Sequence, residues 1–202
     1  DGILPLDRVA VRKLAVLGKL AALENTGDKG SSRVRPPYVA TPLAALCDML
    51  GADAIATGDE DDIAAAVAAA AGADVALIVA GYTAKEEGEF IPGDMTLGQE
   101  DGGGARRSAI GGDRLSLGLP EAQIAMIEAV AATGTPLIVV IVAGSAVLVE
   151  RWRGHGAAIL QSFYSGMEGG TALARILFGD VSPSGRLPFT VARGAAVYPF
   201  FG

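Results

Sequence analysis

The sequence predicts an α/β fold: a five- to six-stranded, mostly parallel sheet sandwiched between helices. Three observations carry that expectation. Apolar runs at 14–18, 74–80, 136–143 and 157–164 are short and rich in Val, Ile, Leu and Ala, as strands covered on both faces are. Stretches with helix start and stop signals lie between them, so strands and helices alternate about every thirty residues. Gly- and Pro-rich turns mark most of the boundaries. At 202 residues, a single domain over 1–202 is expected.

The elements follow in order. A strand over 14–18 ends at Gly18, and 19–37 reads as a loop rich in Gly, Ser and Pro. Thr41 reads as a helix cap with Pro42 at the first helical position, the helix running to Leu50 and stopping at Gly51. A weak strand is expected over 52–57. Asp59, Glu60, Asp61 and Asp62 then open a helix over 63–71, where acids complement the positive helix end; that role is preferred to metal binding. The strand over 74–80 is followed by a long stretch, 81–120, without convincing periodicity. A helix is expected from Pro120 to about Ala132, and a strand over 136–143. Gly144 and Ser145 are read as opening a short helix through Trp152, a core residue. A strand over 157–164, a helix ending at Phe178-Gly179, and a final short strand from Leu187 to Val191 complete the chain.

Composition excludes several classes of function. Half the residues are hydrophobic and 19% are charged, which is a foldable rather than a disordered balance. The net charge of −7, with no basic cluster, argues against nucleic acid as a partner. No apolar run has the length of a membrane span, so no membrane partner is expected. The first residues lack a basic region, an apolar core and a cleavage site, so no signal peptide is expected in this stretch. The chain opens abruptly, as if excised from a longer polypeptide. Cys47 has no second cysteine to pair with and reads as a core thiol. One His and one Cys are too few for the usual zinc ligand sets, so no metal is expected. Gly18 is not followed by a dinucleotide fingerprint, Gly27-Asp28-Lys29-Gly30-Ser31-Ser32 lacks Walker spacing, and no cofactor is expected. There is no nucleophile elbow, and His155 sits between two glycines in a turn.

Carboxylate chemistry remains. Ligands of parallel sheets bind at loops leaving the carboxyl ends of strands, so the loops after the first and third strands can share one rim. The longer loop holds Glu86, Glu87 and Glu89 just ahead of Phe90. A carboxylic acid partly buried by apolar neighbours stays protonated and can protonate a departing glycosidic oxygen. Taken alone, the cluster reads first as a solvated acidic loop.

Sequence motifs along the whole chain add a resemblance. They are Asp1 to Leu6, Gly27 to Val34, Glu87-Gly88-Glu89, Gly112 to Pro120 followed by Gln123, and Gly144-Ser145. Ile159 to Tyr164, Gly166 to Gly170, Leu177 to Asp180 and Pro183 to Thr190 continue the series. In order and spacing they resemble the C-terminal α/β sandwich domain of family 3 glycoside hydrolases, the β-glucosidase group. The resemblance implies the second domain of a retaining, exo-acting β-glucosidase acting on a β-linked oligosaccharide or glycoside. Its partner would be an N-terminal (β/α)8 barrel of the same polypeptide, which carries the catalytic Asp nucleophile, so this chain alone would be inactive. By the same resemblance the acid/base is Glu89, with Glu87 the alternative, and Glu86 is solvated. Asp113 and Arg114 would form an ion pair anchoring the loop's return. Phe90 is a candidate leaving-group contact. Asp28, Lys29, Ser31 and Ser32 would bond sugar hydroxyls or, preferably, brace the other loop. A periplasmic or extracellular location is expected from the family. The competing expectation is a non-catalytic carbohydrate-binding or interdomain module.

Overall fold

Five parallel strands form one sheet in the computed structural model, which describes residues 2–27, 33–87, 114 and 116–199. They are β1 (Leu14–Leu17), β2 (Ile55–Gly58), β3 (Val75–Gly81), β4 (Leu137–Val142) and β5 (Ala158–Gln161). Their spatial order is β2-β1-β3-β4-β5, and every neighbouring pair is parallel. The chain thus reverses its direction of travel between β1 and β3, which puts the switch point of the sheet at those two strands.

Helices cover both faces. Alternate residues of each strand point to opposite sides, so one strand serves two cores. Ala76, Ile78 and Ala80 of β3 pack toward α2 (Ile63–Ala71) and α4 (Glu121–Ala131), together with Ala66, Ala70, Ile127 and Val130. Val75, Leu77 and Val79 pack toward α1 (Pro42–Leu50) and α5 (Gly169–Leu177), with Leu46, Leu173 and Leu177. Every residue of β3 is buried, as the unbroken apolar run predicts.

Several element ends follow directly from local chemistry. Thr41 caps α1 by accepting from the Ala44 amide, Pro42 occupies its first turn, and Gly51 ends it at φ 86°. Asp62 caps α2 by accepting from the Ala65 amide, so the acidic run lies ahead of that helix. Asp61 and Glu60 reach the other way, to the Lys19 ammonium and the Lys19 amide, and tie the start of the loop after β1 to the turn before α2.

Five expectations are corrected. The strand expected over 157–164 pairs only over Ala158–Gln161, so Tyr164 lies in the loop that follows it. Residues 52–57 split into a 3-10 turn (Ala52–Ala54) and then β2. The stretch after β3 begins with a single helical turn, α3 (Ala84–Glu87), whose first amide region is capped by Glu86 accepting from the Thr83 amide and hydroxyl. Residues 144–152 form no helix, because their polar groups are engaged elsewhere. The Gly144 amide goes to Glu87, the Ala146 carbonyl to Arg114, and the Leu148 amide to the Leu117 carbonyl beside a bridge between Gly118 and Leu148. Residues 187–191 join no strand ladder. The Tyr198 hydroxyl donates to the Thr190 carbonyl and accepts from the Ala192 amide, and Leu187 is exposed. Trp152 is fully buried, as expected of a core residue.

The end of β3 is fixed by a contact that only glycine permits. A Cβ on Gly81 would lie 1.9 Å from the Val142 carbonyl oxygen, and φ there is 141°. Strand β1 has ended by this point, since Leu17 is in register with Ile78. The side chain of Gln123 takes its place: the Gly81 amide donates to Oε1 at 2.9 Å, and Nε2 donates to the Gly81 carbonyl at 3.1 Å. Gln123 is buried, so both bonds form away from water. Replacing Gln123 with Leu strands two buried backbone groups and should lower stability by about 2–4 kcal/mol, measured as a shift of the urea unfolding midpoint.

Candidate active site

The carboxyl ends of β1, β3, β4 and β5 each release a loop, and groups from the loops after β3, β4 and β5 meet at one carboxylate. Glu87, at the end of α3, places Oε1 2.7 Å from Arg114 Nε. Its Oε2 accepts from the Gly144 amide at 2.7 Å and from the Tyr164 hydroxyl at 2.6 Å. Gly144 follows β4 and Tyr164 follows β5, so the loop after β3 is tied to both of its neighbours. The Asn25 side chain, from the loop after β1, donates to the Tyr82 carbonyl at 2.7 Å. The loops after the first and third strands do share a rim.

Arg114 is the counterpart of Glu87 at the far end of the loop. Its Nη2 donates to the Ser145 hydroxyl and to the Ala146 carbonyl, and its guanidinium lies over the Tyr82 ring at 4.5 Å. The Tyr82 hydroxyl in turn donates to the Gly118 carbonyl. Arg114 Nη1 is buried and has no hydrogen-bond partner among the described residues. The Glu87 and Arg114 side chains are only 10% and 6% exposed, which puts this pair in a different energetic class from surface ion pairs.

Electrostatics keep the tyrosines as donors. Burial raises the Tyr164 pKa, and donation to the Glu87 carboxylate raises it further, against the opposing charge of Arg114. Burial also raises that of Tyr82, again opposed by Arg114. Phe163, just before Tyr164, adopts φ 55°, a conformation that costs a bulky residue about 1–3 kcal/mol. Its ring meets Phe189 edge-on at 6.1 Å, and the neighbouring Tyr164–Glu87 bond helps hold the turn.

Glu87 and Arg114 flank residues 88–113. Closing a segment of that length costs about 3 kcal/mol in chain entropy. Hydrogen bonds to a charged group contribute about 1.5–3 kcal/mol each, and Glu87 makes three, although desolvation removes part of that gain.

A model of the glycosyl hydrolase family 3 C-terminal domain matches residues 1–201. The chain belongs to this family. The family 3 domain is 33% identical to an exo-α-(1→6)-L-arabinopyranosidase of Bifidobacterium longum, over 93% of this chain and 24% of that protein. It is 28% identical to a β-xylosidase of Formosa agariphila, over 98% of this chain and 27% of that protein. Among solved structures, a family 3 β-glucosidase of Bifidobacterium adolescentis is 30% identical with a TM-score of 0.72, covering 96% of this chain and 26% of that one. A β-D-glucoside glucohydrolase of Trichoderma reesei is 25% identical with a TM-score of 0.79, covering 98% of this chain and 28% of that one. The chain therefore spans about a quarter of the length of these relatives.

Of the site residues expected for the family 3 domain from sequence, Glu87 lies at the centre of this cluster. Glu89, Phe90, Asp28, Lys29, Ser31, Ser32 and Asp113 lie outside the described residues. Gly27, which opens the Asp28 to Ser32 segment, is buried at φ 101°, and a Cβ there would lie 3.2 Å from Tyr164. Arg114 does anchor the loop's return, with Glu87 as its partner. Glu86 is exposed, as expected. Tyr82, Asn25, Gly144, Ser145 and Tyr164 were not singled out as site residues from the sequence, although Gly144-Ser145 and Tyr164 fall within motifs that carried the resemblance.

Removing Glu87 leaves the Arg114 charge buried without its partner. Glu87→Ala should therefore lower stability by about 3–5 kcal/mol in denaturant unfolding.

Proposed function

We propose that the chain is the second domain of a retaining, exo-acting β-glycosidase, a β-glucosidase, and that Glu89 is its general acid/base. The active site would be shared with an N-terminal (β/α)8 barrel bearing the Asp nucleophile. The observation that carries this reading is the match to the family's C-terminal domain over residues 1–201, in a chain spanning about a quarter of its relatives. That proportion leaves ample length for a second catalytic domain.

The chemistry is a double displacement. The nucleophilic carboxylate attacks the anomeric carbon while Glu89 gives its proton to the departing glycosidic oxygen, forming a glycosyl-enzyme and releasing the aglycone. The Glu89 carboxylate then takes a proton from water, whose oxygen attacks the anomeric carbon and frees the nucleophile. Two features support Glu89 over Glu87. The Glu87 carboxylate accepts from three donors that belong to this domain, whereas an acid/base has to face a substrate. The resemblance also selects position 89. Phe90 is proposed as a leaving-group contact, and Asp28, Lys29, Ser31 and Ser32 as braces or sugar contacts. The contact between Gly27 and Tyr164 supports a place for that segment beside the site. A periplasmic or extracellular location is part of the same proposal.

In the complete enzyme, Glu89→Ala should slow hydrolysis of glycosides with poor leaving groups by about 100-fold or more. Activated aryl glycosides should be far less affected, and azide should be captured as a glycosyl azide. Hydrolysis of phenyl β-glucoside at the wild-type rate would favour a non-catalytic module instead. The 202-residue chain alone should show no turnover of an aryl β-glucoside.

A further inference from the structure

We infer that Glu87 and Arg114 act as a positioning clamp for the acid/base, holding the two ends of the 88–113 segment at one fixed point on the rim. The inference rests on the reading of Glu89 as acid/base, and it assigns Glu87 a role different from that of a reacting group.

The clamp is built on rigid parts. Glu87 is joined to β3 through α3, and its carboxylate is held by Gly144 after β4 and Tyr164 after β5. Arg114 is held by Ser145 and Ala146 from the loop after β4 and by the Tyr82 ring after β3. Both ends of the segment are thus referenced to β3 and β4, and Glu87 to β5 as well. Only Gly88 separates Glu87 from Glu89 in the sequence. One intervening residue gives a displacement at Glu87 little chain in which to be absorbed.

The composition of the clamp points the same way. Buried ion pairs often do no better for stability than apolar residues of similar volume. This one also leaves Arg114 Nη1 unpaired among the described residues. What an apolar pair lacks is direction. A carboxylate meeting Nε, an amide and a phenol fixes position and orientation together. Catalytic groups displaced by about 1 Å lose rate steeply.

The test uses the complete enzyme with phenyl and dinitrophenyl β-glucosides. Glu87→Gln keeps the shape and removes the charge that holds Arg114. It should reduce kcat/KM at least about tenfold on the phenyl glycoside, which needs a proton donor, and less than about threefold on the dinitrophenyl one. It should yield no glycosyl azide, because no space opens beside the anomeric carbon, whereas Glu89→Ala yields it. Arg114→Lys, which keeps the charge but not the planar fork, should show the same leaving-group pattern and serves where Glu87→Gln folds poorly. Wild-type rates on both substrates for Glu87→Gln and Arg114→Lys, with glycosyl azide still formed by Glu89→Ala, would overturn the clamp alone. Glycosyl azide formed by Glu87→Ala would make Glu87 the reacting group and overturn it too. Wild-type behaviour of Glu89→Ala would overturn the acid/base assignment, and the clamp with it.

Discussion

One carboxylate organises the functional end of this domain. Glu87 accepts from Arg114, Gly144 and Tyr164, and so joins a residue ahead of the long loop to one behind it and to the loops of the next two strands. Charges this deeply placed are costly to desolvate, and the arrangement persists only because three donors meet the carboxylate and four groups surround the guanidinium. Arg114 has Glu87, Ser145 and Ala146 as polar partners and the Tyr82 ring against its face. The surrounding loops bend to suit this pair: Gly144 presents its amide instead of beginning a helix, and Phe163 accepts a left-handed backbone beside Tyr164.

The sheet supplies the rigid base. Strand β3 is central, wholly buried and runs three residues past the last one that β1 pairs with. Gln123 satisfies the backbone groups left over, and the absence of a side chain at Gly81 lets β3 and β4 close to the point where the loops depart. Glu87 and Arg114, which bound the long 88–113 stretch in sequence, lie at that edge. On the proposed reading, substrate chemistry belongs to two domains, and this chain would contribute a carboxyl group.

Most of the fold was legible in the sequence because it rests on local signals. Thr41, Pro42 and Gly51 bound α1 from within a few residues, and the run from 63 to 71 is α2 to the residue. Unbroken apolar runs marked the central strands. Two of the errors share a cause: a side chain from outside the segment claims a backbone group. Arg114 and Glu87 take the polar groups of 144–146, and Tyr198 takes those of 190 and 192, so propensity alone misassigned both segments. The site was legible in part for the same reason. The acidic cluster announced itself, and Arg114 was read as an anchor. The pairing of Arg114 with Glu87 crosses the whole loop, and no periodicity connects those positions.

A double-mutant cycle on Glu87 and Arg114 tests the central claim most directly. Stability would be measured by denaturant unfolding for Glu87→Gln, Arg114→Met and the two combined. A coupling energy of at least about 1 kcal/mol is expected for a buried pair in direct contact. Single effects that add within about 0.3 kcal/mol would show two independent residues and contradict a clamp at the base of the loop.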